Sequence, residues 1–130
     1  MTTNIRTDFW DYLDELVSSH PMVIDRPKGT PHPSYPEVIY PLDYGYLKET
    51  TSIDGGGIDI WLGTEGVPIS NDASTKKISA LILTVDLHKN DTEVKILLNC
   101  SETEIQTVLA FHNDNRMRAL LVRKPTSKEK

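Results

Sequence analysis

Asp54 and Asp59 frame three consecutive glycines in the stretch SIDGGGID, and a second pair, Asp86 and Asp91, repeats the same five-residue offset. Carboxylate oxygens are hard ligands that suit Mg²⁺, with Mn²⁺ as a substitute, and glycines let a loop bend tightly enough to aim two side chains inward. The pattern points to divalent-cation chemistry if the fold brings the two pairs together. Each pair alone also suits a turn, since Asp and Gly are turn residues for reasons of their own. Arg26, Lys28, Lys48 and Lys95 are the cations that could face an anion, with Lys28 held on a proline-stiffened PKG turn. Tyr35, Tyr40, Tyr44 and Tyr46 gather around a proline-rich stretch, where rings can wall a pocket and hydroxyls can reach an oxyanion. No histidine pair has zinc spacing, and His32, between prolines, reads as an exposed side chain.

Those side chains need elements to hold them. Thr7 can cap a helix running to about Ser19, with Phe9, Leu13, Leu16 and Val17 on its apolar face. Pro21 ends it, and MVID (Met22–Asp25) reads as a short strand. Five prolines between Pro27 and Pro41 exclude a helix there, and EVIY (Glu37–Tyr40) is the one strand expected inside that region. IDIWLG should be a strand, residues 64–77 a polar surface loop, and ISALILTVD a central strand. HKND turns the chain into EVKILLN, where Val94, Ile96 and Leu98 alternate with Glu93, Lys95 and Leu97, so Asp86 and Asp91 flank a hairpin tip. Ser101 and Glu104 have capping-box spacing for a helix through about His112, and MRALLVR forms a last strand. The sum is an α+β fold: a small five- to six-stranded, mostly antiparallel barrel, OB-like, with an N-terminal and a C-terminal helix.

Residues 1–130 fit one domain with its own core. The net charge of −5, from 19 acidic and 14 basic residues, argues against a nucleic-acid surface, which needs a basic stripe to displace counterions. No apolar run approaches the roughly 20 residues that span a bilayer, and the first residues lack the pattern of a secretory signal. A lone cysteine, Cys100, forms no internal disulfide and reads as a packing residue. The expectation is a cytoplasmic protein with neither membrane nor nucleic-acid partners.

Taken in order, VIDRPKG, YPLDYGYL, SIDGGGIDIWLG and TVDLHKND resemble successive elements of the soluble, Mg²⁺-dependent inorganic pyrophosphatases. The resemblance covers about the first two-thirds of the chain. It implies a pyrophosphatase-like barrel and hydrolysis of a phosphoanhydride, most simply pyrophosphate to two phosphates or a related small phosphorylated compound. It further implies Asp54, Asp59, Asp86 and Asp91 as metal ligands, with Asp54, Asp59 and Asp91 in the catalytic set, and Asp25 assisting at the metal in place of a glutamate. Lys28 and Tyr44 would grip phosphate, with Arg26 and Lys95 as further substrate contacts, and the protein would be a homo-oligomer.

The chain also departs from that family. Gly56 stands where an aspartate helps deprotonate the attacking water, Gly57 replaces a proline, and Asp43 replaces an asparagine beside Tyr44. The arginine that binds phosphate has no counterpart between Lys28 and Tyr40, and Lys95 lies two residues later than the usual hairpin lysine. A water bridging metals can still ionise without that base. The alternative is a catalytically degenerate module that binds metal and a phosphorylated ligand for regulation.

Overall fold

The computed structural model describes residues 8–66 and 76–125. In chain order the elements are α1 (Phe9–Ser18), β1 (Met22–Arg26), β2 (Asp43–Leu47), β3 (Ile58–Leu62), β4 (Ile78–Asp86), β5 (Asp91–Leu98), α2 (Glu102–Phe111) and β6 (Met117–Arg123). The strands form one sheet in the order β1-β2-β3-β5-β4-β6. Every neighbouring pair is antiparallel except β3 with β5. The expected α+β class and strand number hold, but β1 and β6 are the sheet's two edges, so it is open rather than closed into a barrel.

Alternation in β3, β4 and β5 gives the sheet two apolar faces, and each helix covers one. On one face Val17 of α1 packs with Met22, Leu47, Ile60, Leu81, Ile96 and Leu98. On the other Ile105 and Val108 of α2 pack with Tyr40, Leu42, Trp61, Ile82 and Leu97. Each fully buried aliphatic side chain contributes about 1.5–3 kcal/mol, so the two clusters hold the three layers together. Cys100 belongs to the α2 layer and is 7% exposed. Burial, aided by Glu104, pushes its thiol up to about 12, consistent with a packing role.

The Ser101–Glu104 capping box is present in both directions and starts α2 as its spacing predicts. The N-cap of α1 is Asp8. Thr7, the expected cap, lies outside the described residues, as does most of the 64–77 loop.

One expectation in the proline-rich region needs correction. EVIY is not a strand: Ile39 makes only an isolated bridge with Pro31. The strand is instead DYGYL, β2, which inserts between β1 and β3. Gly45 makes that insertion possible, because a Cβ there would lie 1.8 Å from the carbonyl oxygen of Val23 on β1. The segment joining β1 to β2 folds back over the α2 face, bringing Tyr40 and Leu42 into the core.

Candidate functional site

One register places polar chemistry on the α2 face. Tyr46 pairs with Asp59, Asp59 with Lys95 and Lys95 with Ile82 across β2, β3, β5 and β4, and cross-strand partners share a face. Tyr44 and Trp61 form the next row toward the C-terminal end of β3. Glu93, two residues before Lys95, pairs with Thr84, and beyond it Asp91 pairs with Asp86. The face therefore carries Tyr44, Asp59, Lys95, Glu93, Asp91 and Asp86 along its length.

Lys95 is the hub. Its ammonium, 5% exposed as a residue, donates to Tyr44 Oη at 2.8 Å, Asp59 Oδ2 at 2.9 Å and Glu93 Oε1 at 2.9 Å. An ammonium has three hydrogens, so all its donors are engaged. Burial opposes its charge but is outweighed by these partners, and Lys95 is held well above the usual lysine range. Burial is also the main force raising the Tyr44 phenol; Lys95 pulls the other way and Asp59 reinforces the rise. Tyr44 is therefore neutral at physiological pH. The bond to the Tyr44 hydroxyl and the charge of the Asp59 carboxylate keep Lys95 protonated against its burial.

Around the hub lies an aromatic stack. Tyr40 sits 5.4 Å from Tyr44 and 5.9 Å from Trp61, ring centre to ring centre, and His32 stacks on Tyr40 at 6.1 Å. A bulge in β1 brings Arg26 to this face. Ile24 pairs with Gly45 and Arg26 with Tyr44, leaving Asp25 without a partner in the ladder. The extra residue re-aims the strand, as bulges do. Arg26 Nη1 then donates to Tyr40 Oη at 2.5 Å, while Asp25 is exposed. The bulge thus turns Asp25, expected at the metal, out to solvent and keeps Arg26, an expected substrate contact, on this face.

The remaining aspartates serve their own turns. Asp54 Oδ1 accepts from Ser52 Oγ at 2.5 Å and from the Gly56 amide at 3.0 Å, and those bonds lower its carboxyl below the usual range on an exposed loop. Asp86, 8% exposed, accepts from the amides of His88 at 2.9 Å and Lys89 at 3.1 Å, closing the hairpin tip. Asp91 lies 3.6 Å from the Lys89 ammonium. Lys28 is exposed, and its amide donates to Asp43 at 2.8 Å.

Three loops approach the polar end. Because β3 and β5 run parallel, the glycine loop before β3 shares an end of the sheet with the hairpin tip. The charge of Lys89 on that tip acts on both Asp54 and His32. His32 is lowered first by burial, then by Arg26 and Lys89.

The structure thus joins Tyr44, Asp59 and Lys95, and joins Asp86 to Asp91, but leaves Asp54, Asp25 and Lys28 on exposed positions. Glu93 and His112 were not singled out from the sequence. The even spacing of Glu93 from Lys95 within one strand was the available signal for the first. Among the described residues no three His, Cys, Asp or Glu side chains are grouped so as to hold one ion. The carboxylates come in pairs, and the closest flanking pair already clasps an ammonium. They do not form a protein-only cage for a resident metal, though one or two carboxylates with substrate phosphate oxygens are the usual Mg²⁺ arrangement.

No protein-family model matches the sequence, and no curated protein sequence matches it. Among solved structures the chain is similar to an inorganic pyrophosphatase from Neisseria gonorrhoeae, with a TM-score of 0.51 at 14% identity over 83% of this chain and 77% of that one. An inorganic pyrophosphatase from Coxiella burnetii aligns at a TM-score of 0.43 and 16% identity over 64% of this chain, and an inorganic phosphatase from Anaplasma phagocytophilum at 0.44 and 13% over 65%. The chain spans 61% of each of the latter two. The first similarity establishes a pyrophosphatase-like fold.

Proposed function

We propose that this chain hydrolyses a phosphoanhydride presented as its Mg²⁺ complex, either pyrophosphate or a related small phosphorylated compound. One observation carries the reading: a single sheet face aligns Tyr44, Asp59, Glu93 and Lys95, with Asp86 and Asp91 beyond them, flanked by Arg26 at the end of β1 and by Lys89 on the hairpin tip. The fold it shares with the Neisseria gonorrhoeae enzyme, described as an inorganic pyrophosphatase, supports the substrate class.

Phosphoryl transfer is mostly positioning and neutralisation of charge. The substrate's own Mg²⁺ supplies Lewis-acid neutralisation when bound. Arg26 and Lys89 draw the polyanion toward the face, and Lys28 adds charge at the rim. Tyr44, neutral and wedged against Trp61, orients a phosphate oxygen. Water attacks phosphorus, the bridging P–O bond breaks, and the water proton passes to a carboxylate oxygen that Lys95 leaves unbound, Oδ1 of Asp59 or Oε2 of Glu93. The cytoplasmic setting expected from the sequence and the homo-oligomeric state implied by the resemblance belong to the same proposal.

Phosphate release should be measured from pyrophosphate and a panel of nucleoside polyphosphates with Mg²⁺ or Mn²⁺. Release that needs the cation and is lost in Asp59→Asn is expected. A second reading, a binding module without turnover, is favoured by the full engagement of Lys95 and by Gly56 at the position where the resemblance puts an aspartate. It is the outcome if no substrate is cleaved while calorimetry still detects metal–pyrophosphate binding.

A further inference from the structure

Asp59 Oδ2 and Glu93 Oε1 each lie 2.9 Å from one ammonium, with their side chains 29% and 16% exposed and that of Lys95 6% exposed. Two carboxylates closing on a buried point charge is the arrangement a cation site has, and here the cation is part of the chain. Seating a divalent ion between the same oxygens would require Nζ to withdraw, leaving a buried ammonium without its counter-charges, which costs several kcal/mol. A metal already bound to a polyphosphate is different. It carries most of its oxygen ligands with it and adds negative charge that the ammonium attracts.

We propose that Lys95 is the resident cation of this site, filling the seat between Asp59 and Glu93 so that the protein rejects free Mg²⁺ and accepts the cation only as a metal–phosphoanhydride complex. The inference rests on the proposed function for the identity of the anion, but its metal-binding half stands without it. Lys95 is thereby a specificity-determining residue. It makes the site respond to the complexed anion rather than to the free ion concentration.

The test compares Mn²⁺ binding by calorimetry, and melting temperature, for the wild-type chain with Mn²⁺ alone and with Mn²⁺ plus methylenediphosphonate, a non-hydrolysable pyrophosphate analogue. Mn²⁺ alone should neither bind this face nor shift melting, whereas the two together should do both. Lys95→Met keeps the aliphatic stem and removes the charge. It should tighten binding of Mn²⁺ alone by at least about tenfold, a modest share of what a unit charge a few ångströms away exerts at an effective dielectric of about 20. Binding of Mn²⁺ alone to the wild type that disappears in Asp59→Asn would overturn the proposal. So would a folded Lys95→Met chain that binds Mn²⁺ no better than wild type. Should Lys95→Met fail to fold, the wild-type comparison decides. Absence of both phosphate release and diphosphonate binding would count against the proposed function, leaving the Mn²⁺-alone comparison to judge the role of Lys95.

Discussion

Trp61 and His112, 51 positions apart, meet through an indole N–H that donates to imidazole Nε2 at 3.1 Å. With Nε2 accepting, the ring proton lies on Nδ1, 3.2 Å from the sulfur of Met117. His112 is 4% exposed, and burial, with a smaller push from Lys95, lowers it to about 3. Protonating it would break the Trp61 bond and bury a cation in an aromatic cluster. Between its unfolded value near 6.5 and about 3 the unfolded chain holds more protons than the folded one, so stability falls as pH falls across that window. The slope from this residue is up to about 1.4 kcal/mol per pH unit. His112→Gln retains an acceptor for Trp61 and does not titrate. Denaturant titrations from pH 7 to pH 4 should show the wild type losing its advantage over this variant; parallel profiles would contradict the assignment.

Glu104 joins α2 to the chain leaving β3. Its Oε1 accepts from the Ser101 amide at 2.9 Å, completing the capping box, while Oε2 accepts from Thr64 Oγ1 at 2.7 Å. The Thr64 amide approaches both oxygens, at 3.1 and 3.2 Å. Ser101→Ala removes one cap bond and should cost about 1 kcal/mol. Glu104→Ala removes the reciprocal bond and the Thr64 tie together, and should cost about 2–3 kcal/mol, since bonds to a charged acceptor are the stronger ones. Urea unfolding of the two variants side by side checks the order. Equal losses would mean the Thr64 tie contributes nothing.

What the sequence disclosed follows from how local each signal is. ISALILTVD, MRALLVR and the alternation around Lys95 set β4, β6 and β5, because burial on a sheet face writes itself into neighbouring residues. The capping box is equally local. β2 was hidden because DYGYL, carrying Asp and Gly, has the composition of a turn, and its reason for being a strand is the Val23 backbone across from Gly45. The site was half hidden for a related cause. Lys95 reaches Asp59 only because β3 and β5 pair in parallel across an intervening strand and loop, and Arg26 joins them only through a bulge. Neither pairing partners nor bulges are encoded by residue type within a single segment.

Gly45→Ala tests the β1–β2 junction. The added methyl would sit 1.8 Å from the Val23 carbonyl oxygen and 2.8 Å from its carbon, both backbone atoms without a rotamer to retreat into. The strands must part, and overpacking of this kind costs about 3 kcal/mol or more. Because β1 delivers Arg26 to Tyr40 and β2 carries Tyr44, binding should weaken together with stability. A variant that unfolds at the wild-type urea midpoint would show that the edge strand adjusts freely.

Gly56→Asp makes the opposite demand, adding a group where there is room. The nearest atom to a Cβ at Gly56, apart from its chain neighbours, is Asp54 Oδ1 at 3.4 Å, an ordinary contact, and the position does not require the left-handed backbone that Gly55 adopts at φ +88°. The aspartate should therefore cost little stability, beyond mild repulsion from Asp54 on an exposed loop. The resemblance puts a water-activating carboxylate at this position, and assistance of that kind is worth about 10²–10⁴-fold. If the chain hydrolyses a phosphoanhydride, Gly56→Asp should raise kcat toward the lower end of that range with KM little changed, measured by phosphate release with Mg²⁺. A folded variant that binds metal–pyrophosphate yet gains no turnover would mean that positioning, rather than the missing base, limits this site, and would favour the binding module over the enzyme.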